Sequence, residues 1–303
     1  MPVIRNSATA VAKSRLFDRA RTLYEANQRD WDLPLSKLAK MYVGGYLILR
    51  DFGSGDFPPV FESIDNTYQG ELEYHASLPG TDEEESRRRD MRKPFGPHFN
   101  TKQYLDHLAM LLRFLDELGI ESEASILEIG CGEGWMAEFL AVSGYDICAT
   151  SLSARDVQEA GKRVKALAVK DAAAKLQFRV AAMESVHEQV TDQGLFDVVF
   201  VYEALHHAFS WKETFRAVHK CLRPGGWFLI CNEPNRIHTL VSYRVARLSN
   251  THEIGLSRSQ MRKELGNIGF SKVRIMTNRI DCGIRSHWIA AQMAGDPTAL
   301  RDG

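Results

Sequence analysis

Three small groups of residues in this 303-residue chain have the types and spacing to do chemistry. The first is Glu128, Gly130, Gly132 and Gly134 in SILEIGCGEGWMAEFLA, directly after an apolar run. Glycine at alternate positions lets the backbone approach a ligand with no Cβ in the way. The carboxylate beside them can pair with an ammonium group or order the loop. A dinucleotide fingerprint needs GxGxxG, but the third place is occupied by Trp135. No GK[ST] follows, so a Walker phosphate loop is excluded. The second group, His206 and His207, follows the apolar FDVVFVYEAL. Imidazoles titrate near neutrality and suit proton removal, although a histidine here can also cap a helix or line a pocket. The third is Asn232 and Glu233 in ICNEPNRIH, with His238 following. These suit acceptor binding or proton removal, and equally loop and helix capping. His252 and Glu253 in SNTHEIG are a lesser candidate pair. No histidine stands in HExxH or another metal spacing, so no metal is expected.

Elements that alternate between strand and helix must position these groups. Apolar runs at SILEI, GYDICAT, LQFRVAA, FDVVFVYEA and WFLICNE read as five strands. The intervening segments near 101–119, 134–143, 154–175 and 210–222 read as helices, the last opened by a Ser210–Glu213 capping box. Further helices near 236–248 and 258–267 lead into two strand-like runs, KVRIMTNRI and SHWIAAQM. This order predicts a doubly wound, mostly parallel sheet of seven strands. In such a sheet the glycine turn, the histidine pair and Glu233 all follow strand carboxyl ends, where ligands bind. Before residue 101 the texture differs. Two helices are expected at 8–28 and 34–49, then irregular structure or short helices from 51 to 80. The charge block DEEESRRRDMRK is expected to form an exposed helix with Glu-to-Arg pairs, and KPFGPHFN to mark a boundary. The domains are therefore read as 1–100, a helical N-terminal extension, and 101–303.

Composition narrows the class. Lysine and arginine number 38 against 39 acids, so no nucleic-acid partner is expected. Five scattered cysteines without a CxxC pair read as reduced thiols, hence a cytoplasmic protein. No apolar run reaches membrane-spanning length, and the first residues do not read as a secretory signal.

LEIGCGEG, followed in order by FDVVFVYEALHH and CLRPGGWFLI, resembles the class I S-adenosylmethionine-dependent methyltransferases over roughly residues 101–290. The resemblance implies a Rossmann-like fold and S-adenosyl-L-methionine as cofactor. It places Glu128, Gly130, Cys131, Gly132 and Gly134 around the methionine end. The ribose-binding acid falls on Ser151, and the usual adenine-side Asp on Ala182, with Met183 and Glu184 following. A serine lacks the charged, two-pronged grip of a carboxylate. The fourth strand's end, Tyr202, would face cofactor and acceptor. His206, His207 and Glu233 are the catalytic candidates. The expected acceptor is a small molecule carrying a hydroxyl, such as a sugar or other secondary metabolite. Alternatives are a quinone or aromatic ring, a nitrogen acceptor, or an inactive cofactor-binding partner subunit. Tyr68, Tyr74, His75, Phe95 and His98 are candidates for an acceptor pocket, with ordinary core packing as the competing reading. Trp135 either shields the methionine end or anchors its helix.

Overall fold

The computed structural model describes residues 2–30, 33–57, 64–76, 83–96, 98–167, 169–277, 280–281 and 284–295. The chain forms two compact units, 1–86 with 235–255, and 87–234 with 256–303.

The second unit is built on a sheet. Its strands are β1 (Ser125–Ile129), β2 (Asp146–Ser151), β3 (Leu176–Val180), β4 (Phe196–Tyr202), β5 (Leu222–Pro234), β6 (Phe270–Thr277), β7 (Ile280–Asp281) and β8 (Ile284–Met293). Seven of them run in the order β3-β2-β1-β4-β5-β8-β6, and the two-residue β7 pairs with β8. Pairs among β1 to β5 are parallel, while β8 is antiparallel to both β5 and β6. Alternation along each strand divides the core in two. Ile126, Val198, Phe200 and Leu229 join Leu111, Phe114 and Leu140 on one face. Leu127, Val199, Val201 and Ile230 join Phe215, Val218 and Leu265 on the other. Helices cover both faces, so the central strands are apolar on both sides. β4 shows this: six of its seven residues are buried.

Several boundaries differ from the sequence reading. The helix expected over 154–175 is two, Ala154–Ala166 and Lys170–Ala174, because Leu167 is extended. RPGG belongs to β5 as a bulge between Leu222, opposite Phe196, and Trp227, opposite Val198. The capping box is half formed. Ser210 Oγ accepts from the Glu213 amide at 3.4 Å, while the Ser210 amide donates to Glu184.

The first unit is helical. Its N-terminal helix is broken, with Pro2–Ala12 and Asp18–Arg29 flanking a 3-10 turn at Arg15–Phe17. Lys37–Ser54 starts on Ser36, whose hydroxyl accepts the Ala39 amide, and ends at left-handed Gly55. Ile64–Ala76 is a helix, the second of the two readings open for this stretch. The turn-forming residues there concentrate at 53–59 and 79–80, leaving 64–76 free of proline. Ile237–Ser249 packs against Lys37–Ser54 so closely that a Cβ on Gly44 would strike the Leu240 carbonyl. The buried Asp51 accepts from the Tyr243 hydroxyl at 2.9 Å and from Arg50 at 2.6 Å. Phe17, Tyr24, Val43, Leu47 and Tyr243 form this unit's core.

Candidate active site

The site grows from the turn after β1. Gly130, Gly132 and Gly134 have φ of 73°, 53° and 73°, a region that side chains other than glycine rarely adopt. The Cys131 amide donates to the Thr150 carbonyl at 2.8 Å, tying the turn to β2. A Cβ on Gly130 would lie 2.6 Å from both Met183 Cε and Ala204 Cβ. On Gly134 it would enter the Phe178 ring, whereas Gly132 faces open space. Two glycines thus close the turn against the sheet, and the middle one leaves a bare backbone cradle. Trp135 is buried in the core against Tyr104 and Tyr202, which answers its role as an anchor.

Carboxylates crowd this cradle. Glu128 is buried, its Oε2 has no hydrogen-bond partner, and burial pushes its pKa up to about 8. Glu133 is raised to about 7 by burial, against the pull of Lys93. Glu203, beyond the end of β4, is raised to about 7 by burial and by Glu233, with Lys93 and Asn232 opposing. The residue as a whole is exposed, while its carboxylate is hydrogen-bonded by Asn232 and Tyr202. Lys93 Nζ sits 3.0 Å from Asp90. Burial opposes its charge, but Asp90 and Glu133 outweigh that and raise its pKa. The segment carrying Asp90 and Lys93 is held by Arg163, whose Nη2 donates to the carbonyls of Asp90, Met91 and Lys93 at 3.2, 2.8 and 2.8 Å.

A second focus lies where β4 and β5 end. Glu233 is fully buried. Its Oε1 accepts the Ala204 and Leu205 amides at 2.7 and 2.8 Å. Its Oε2 accepts the His206 amide at 3.2 Å and lies 2.9 Å from His206 Nδ1. Burial raises the Glu233 pKa, but His206 and the two amides lower it further, leaving it below the usual carboxylate range. Glu233 therefore orients His206 and the turn beneath it. His206 and His207 rings lie 4.1 Å apart between centroids. Beside them Glu203 and Asn232 both adopt positive φ, 48° and 55°, and Asn232 Nδ2 donates to Glu203 Oε1. Such backbone strain collects at functional sites.

The remaining sequence candidates fall in distinct places. Ser151 is buried at the end of β2, and its hydroxyl accepts the Ser153 amide at 3.3 Å. Met183 covers Gly130. Glu184 accepts the Ser210 amide at 2.9 Å, at the start of the Trp211–Cys221 helix. The Tyr202 hydroxyl pairs with His107 Nδ1 at 2.8 Å, inside the core. His238, His252 and Glu253 lie in the helical unit. There His238 Nε2 is 3.3 Å from Glu253, and the His252 amide donates to Glu71 at 2.6 Å. Side chains of His75 and His98 lie outside the described residues; Phe95 is exposed. Lys93, Arg163, Asp156 and Glu203 were missed by the sequence reading. Only Glu203 carried a signal, as an acid directly beyond a buried strand.

An open sheet of this order, with a left-handed glycine turn after its first strand, defines a nucleotide-type cofactor enzyme of the doubly wound class. Residues 99–275, more than half the chain, match the family model described as a methyltransferase domain, and the chain belongs to that family, the class I S-adenosylmethionine-dependent methyltransferases. The ubiquinone biosynthesis O-methyltransferase of Pseudomonas syringae pv. tomato is 28% identical over 115 residues, 38% of this chain and 47% of that protein. Its Bordetella avium counterpart is 30% identical over 118 residues, 38% of this chain and 46% of that protein. The chain thus spans about half the length of the curated relatives it matches. Among solved structures, the magnesium protoporphyrin IX methyltransferase of Synechocystis PCC 6803, with bound cofactor, gives a TM-score of 0.54 at 16% identity. That match covers 78% of this chain and 100% of the other. The CurJ carbon methyltransferase gives 0.52 at 15% identity, covering 91% and 70%. These two likenesses concern the fold.

The cofactor is S-adenosyl-L-methionine. The residues present fit it: an open cradle at Gly132, and a buried, unpartnered Glu128 oxygen suited to an ammonium group. Among the described residues no helix is long and apolar enough to cross a membrane.

Proposed function

We propose that this methyltransferase acts on a hydroxyl of a small molecule, with His206 as the proton acceptor. The observation that carries the reading is the 2.9 Å contact between His206 Nδ1 and buried Glu233 at the carboxyl ends of β4 and β5. When bound, S-adenosylmethionine supplies a methyl group on a sulfonium, already a good leaving group. The chain's residues then have to hold, orient and deprotonate. The 130–134 turn binds the amino acid end, with Glu128 facing its ammonium. Nδ1–H donates to Glu233, which sets the tautomer and makes Nε2 the ring's basic nitrogen. A positioned base of this kind is worth roughly 10²- to 10⁴-fold. His207, its ring tilted 41° against that of His206, lies at the same end of the sheet.

The relatives' name supports oxygen as the acceptor atom and brings a quinone-type or aromatic hydroxyl forward beside a sugar. Residues 1–100 are read as the acceptor-selecting extension. Four described cysteines are free and buried, which favours a reducing, cytoplasmic setting. A panel of catechols, sugars and amines with labelled S-adenosylmethionine tests the reading. Turnover of a hydroxyl compound that falls at least 100-fold in His206→Gln supports it; turnover confined to amines, or undiminished in that variant, sinks it. Cofactor-product binding with no transfer to any class would favour the inactive partner subunit.

A further inference from the structure

The carboxyl end of β2 borders the glycine turn through the Cys131–Thr150 hydrogen bond, and it ends on Ser151. A nucleoside ribose carries two hydroxyls, which a carboxylate about twenty residues after the glycine turn ordinarily accepts in doubly wound folds. Ser151 is uncharged, and it already accepts one amide. Within reach stands a second group. Asp156, in the first turn of the Ala154–Ala166 helix, is buried and places Oδ2 3.5 Å from Ser151 Oγ.

We propose that Ser151 and Asp156 together form the ribose clamp, with Asp156 supplying from the helix the carboxylate that the strand end lacks. The inference rests on the cofactor already assigned. The helix face points the right way. Ala160, one turn beyond Asp156, would lie 3.4 Å from a Cβ on Gly134. Arg163, on the same stripe, reaches Glu138 at 2.6 Å and the 90–93 carbonyls. The Asp156 charge bears on Cys131 and Glu133, both in the turn, and raises each. A purely local role accounts for only part of this geometry. An acid in a first helical turn is favoured by the dipole wherever it points. Here the Ser153 hydroxyl caps the Asp156 amide at 3.1 Å, and the Ser153 amide, which a capping-box carboxylate would accept, donates to Ser151 Oγ instead. Its Oδ1 meets Arg155 Nη2 at 3.4 Å, and Oδ2 is the oxygen turned to Ser151.

Calorimetric titration of the full chain with S-adenosylhomocysteine and its 2′-deoxy and 3′-deoxy analogues tests the clamp. A hydrogen bond to a charged group supports an affinity loss of about 10-fold or more in Asp156→Asn. At least one deoxy analogue should bind the unaltered protein as weakly, and then lose little further in the variant. Ser151→Ala, a milder change, should couple to the same hydroxyl with a smaller loss. Unchanged affinity in Asp156→Asn overturns the clamp. So do equal fold-losses for the parent ligand and both analogues, because the residue would then act without touching the diol.

Discussion

The raised pKa of Glu128 predicts that cofactor binding releases a proton. Its pKa of about 8 follows from burial, which a hydrogen bond from the Ala137 backbone offsets only in part. At pH 7 a group with that pKa is only about one-eleventh ionised. An ammonium group seated beside it favours the carboxylate and drives the proton off, so binding should release about 0.9 proton through this residue. Titration with S-adenosylhomocysteine at pH 7, in phosphate and in Tris, separates that release from the intrinsic heat, because the two buffers take up protons with different enthalpies. Glu133 and Glu203, both near 7, can add their own protons, so the comparison is with Glu128→Gln. The variant should release about 0.9 proton fewer. The unaltered protein should also gain up to about tenfold in affinity between pH 6 and 7 beyond any gain in the variant. An identical proton count in both proteins would refute the reasoning. It would mean either that Glu128 is already ionised or that the ammonium lies elsewhere.

Other expectations follow from the same geometry. Without ligand, the folded state keeps the Glu128 proton up to about pH 8, whereas an unfolded chain loses it near the ordinary 4.5. That contribution to stability is full below 4.5 and lost as pH rises through 8, so melting curves of Glu128→Gln should decline less across that window. Gly132→Ala meets no atom within 4 Å but must hold a φ of 53°, at about 1–2 kcal/mol. Gly134→Ala adds a collision with Phe178, so urea midpoints should fall further there, while both variants lose product binding by calorimetry. Glu233→Gln turns an amide NH₂ toward donors that now meet a carboxylate. A stability loss of about 1–3 kcal/mol by urea denaturation is expected, together with a lower kcat at little-changed affinity for S-adenosylhomocysteine. Arg163→Met removes the donor shared by three carbonyls, and amide hydrogen exchange over residues 90–93 should quicken.

Much of the fold was legible because its signals are local. Five apolar runs separated by amphipathic helices can bury themselves only as a two-faced sheet, and alternate residues of β1 and β4 do divide between the two cores. The alternating glycines declared the cofactor turn because their backbone angles exclude side chains whatever surrounds them. Local pattern also misled. Helix-like spacing ran through the extended Leu167, where one expected helix parts into two. Chain order did not show that 235–255 belongs with the N-terminal helices, since that depends on Gly44 meeting Leu240 from nearly two hundred residues away.

The sequence by itself determined the sheet, the turn and the edge at which chemistry must occur. Those follow from periodicity and from what glycine alone tolerates. Only the tertiary structure assigned the charged groups their tasks. Glu233 read equally as a group for acceptor binding or proton removal and as a cap; in the fold its oxygens accept backbone amides and lie against His206. Glu128 read as a partner for an ammonium group or as ordering the loop, and burial raises its pKa to about 8. Asp156 carried only helix-start spacing after Ser153 and Lys93 no pattern, and they come to the glycine turn because a helix stripe and the Arg163 clasp bring them there. A side chain's charge and partners depend on which distant atoms surround it, and no spacing along the chain encodes that.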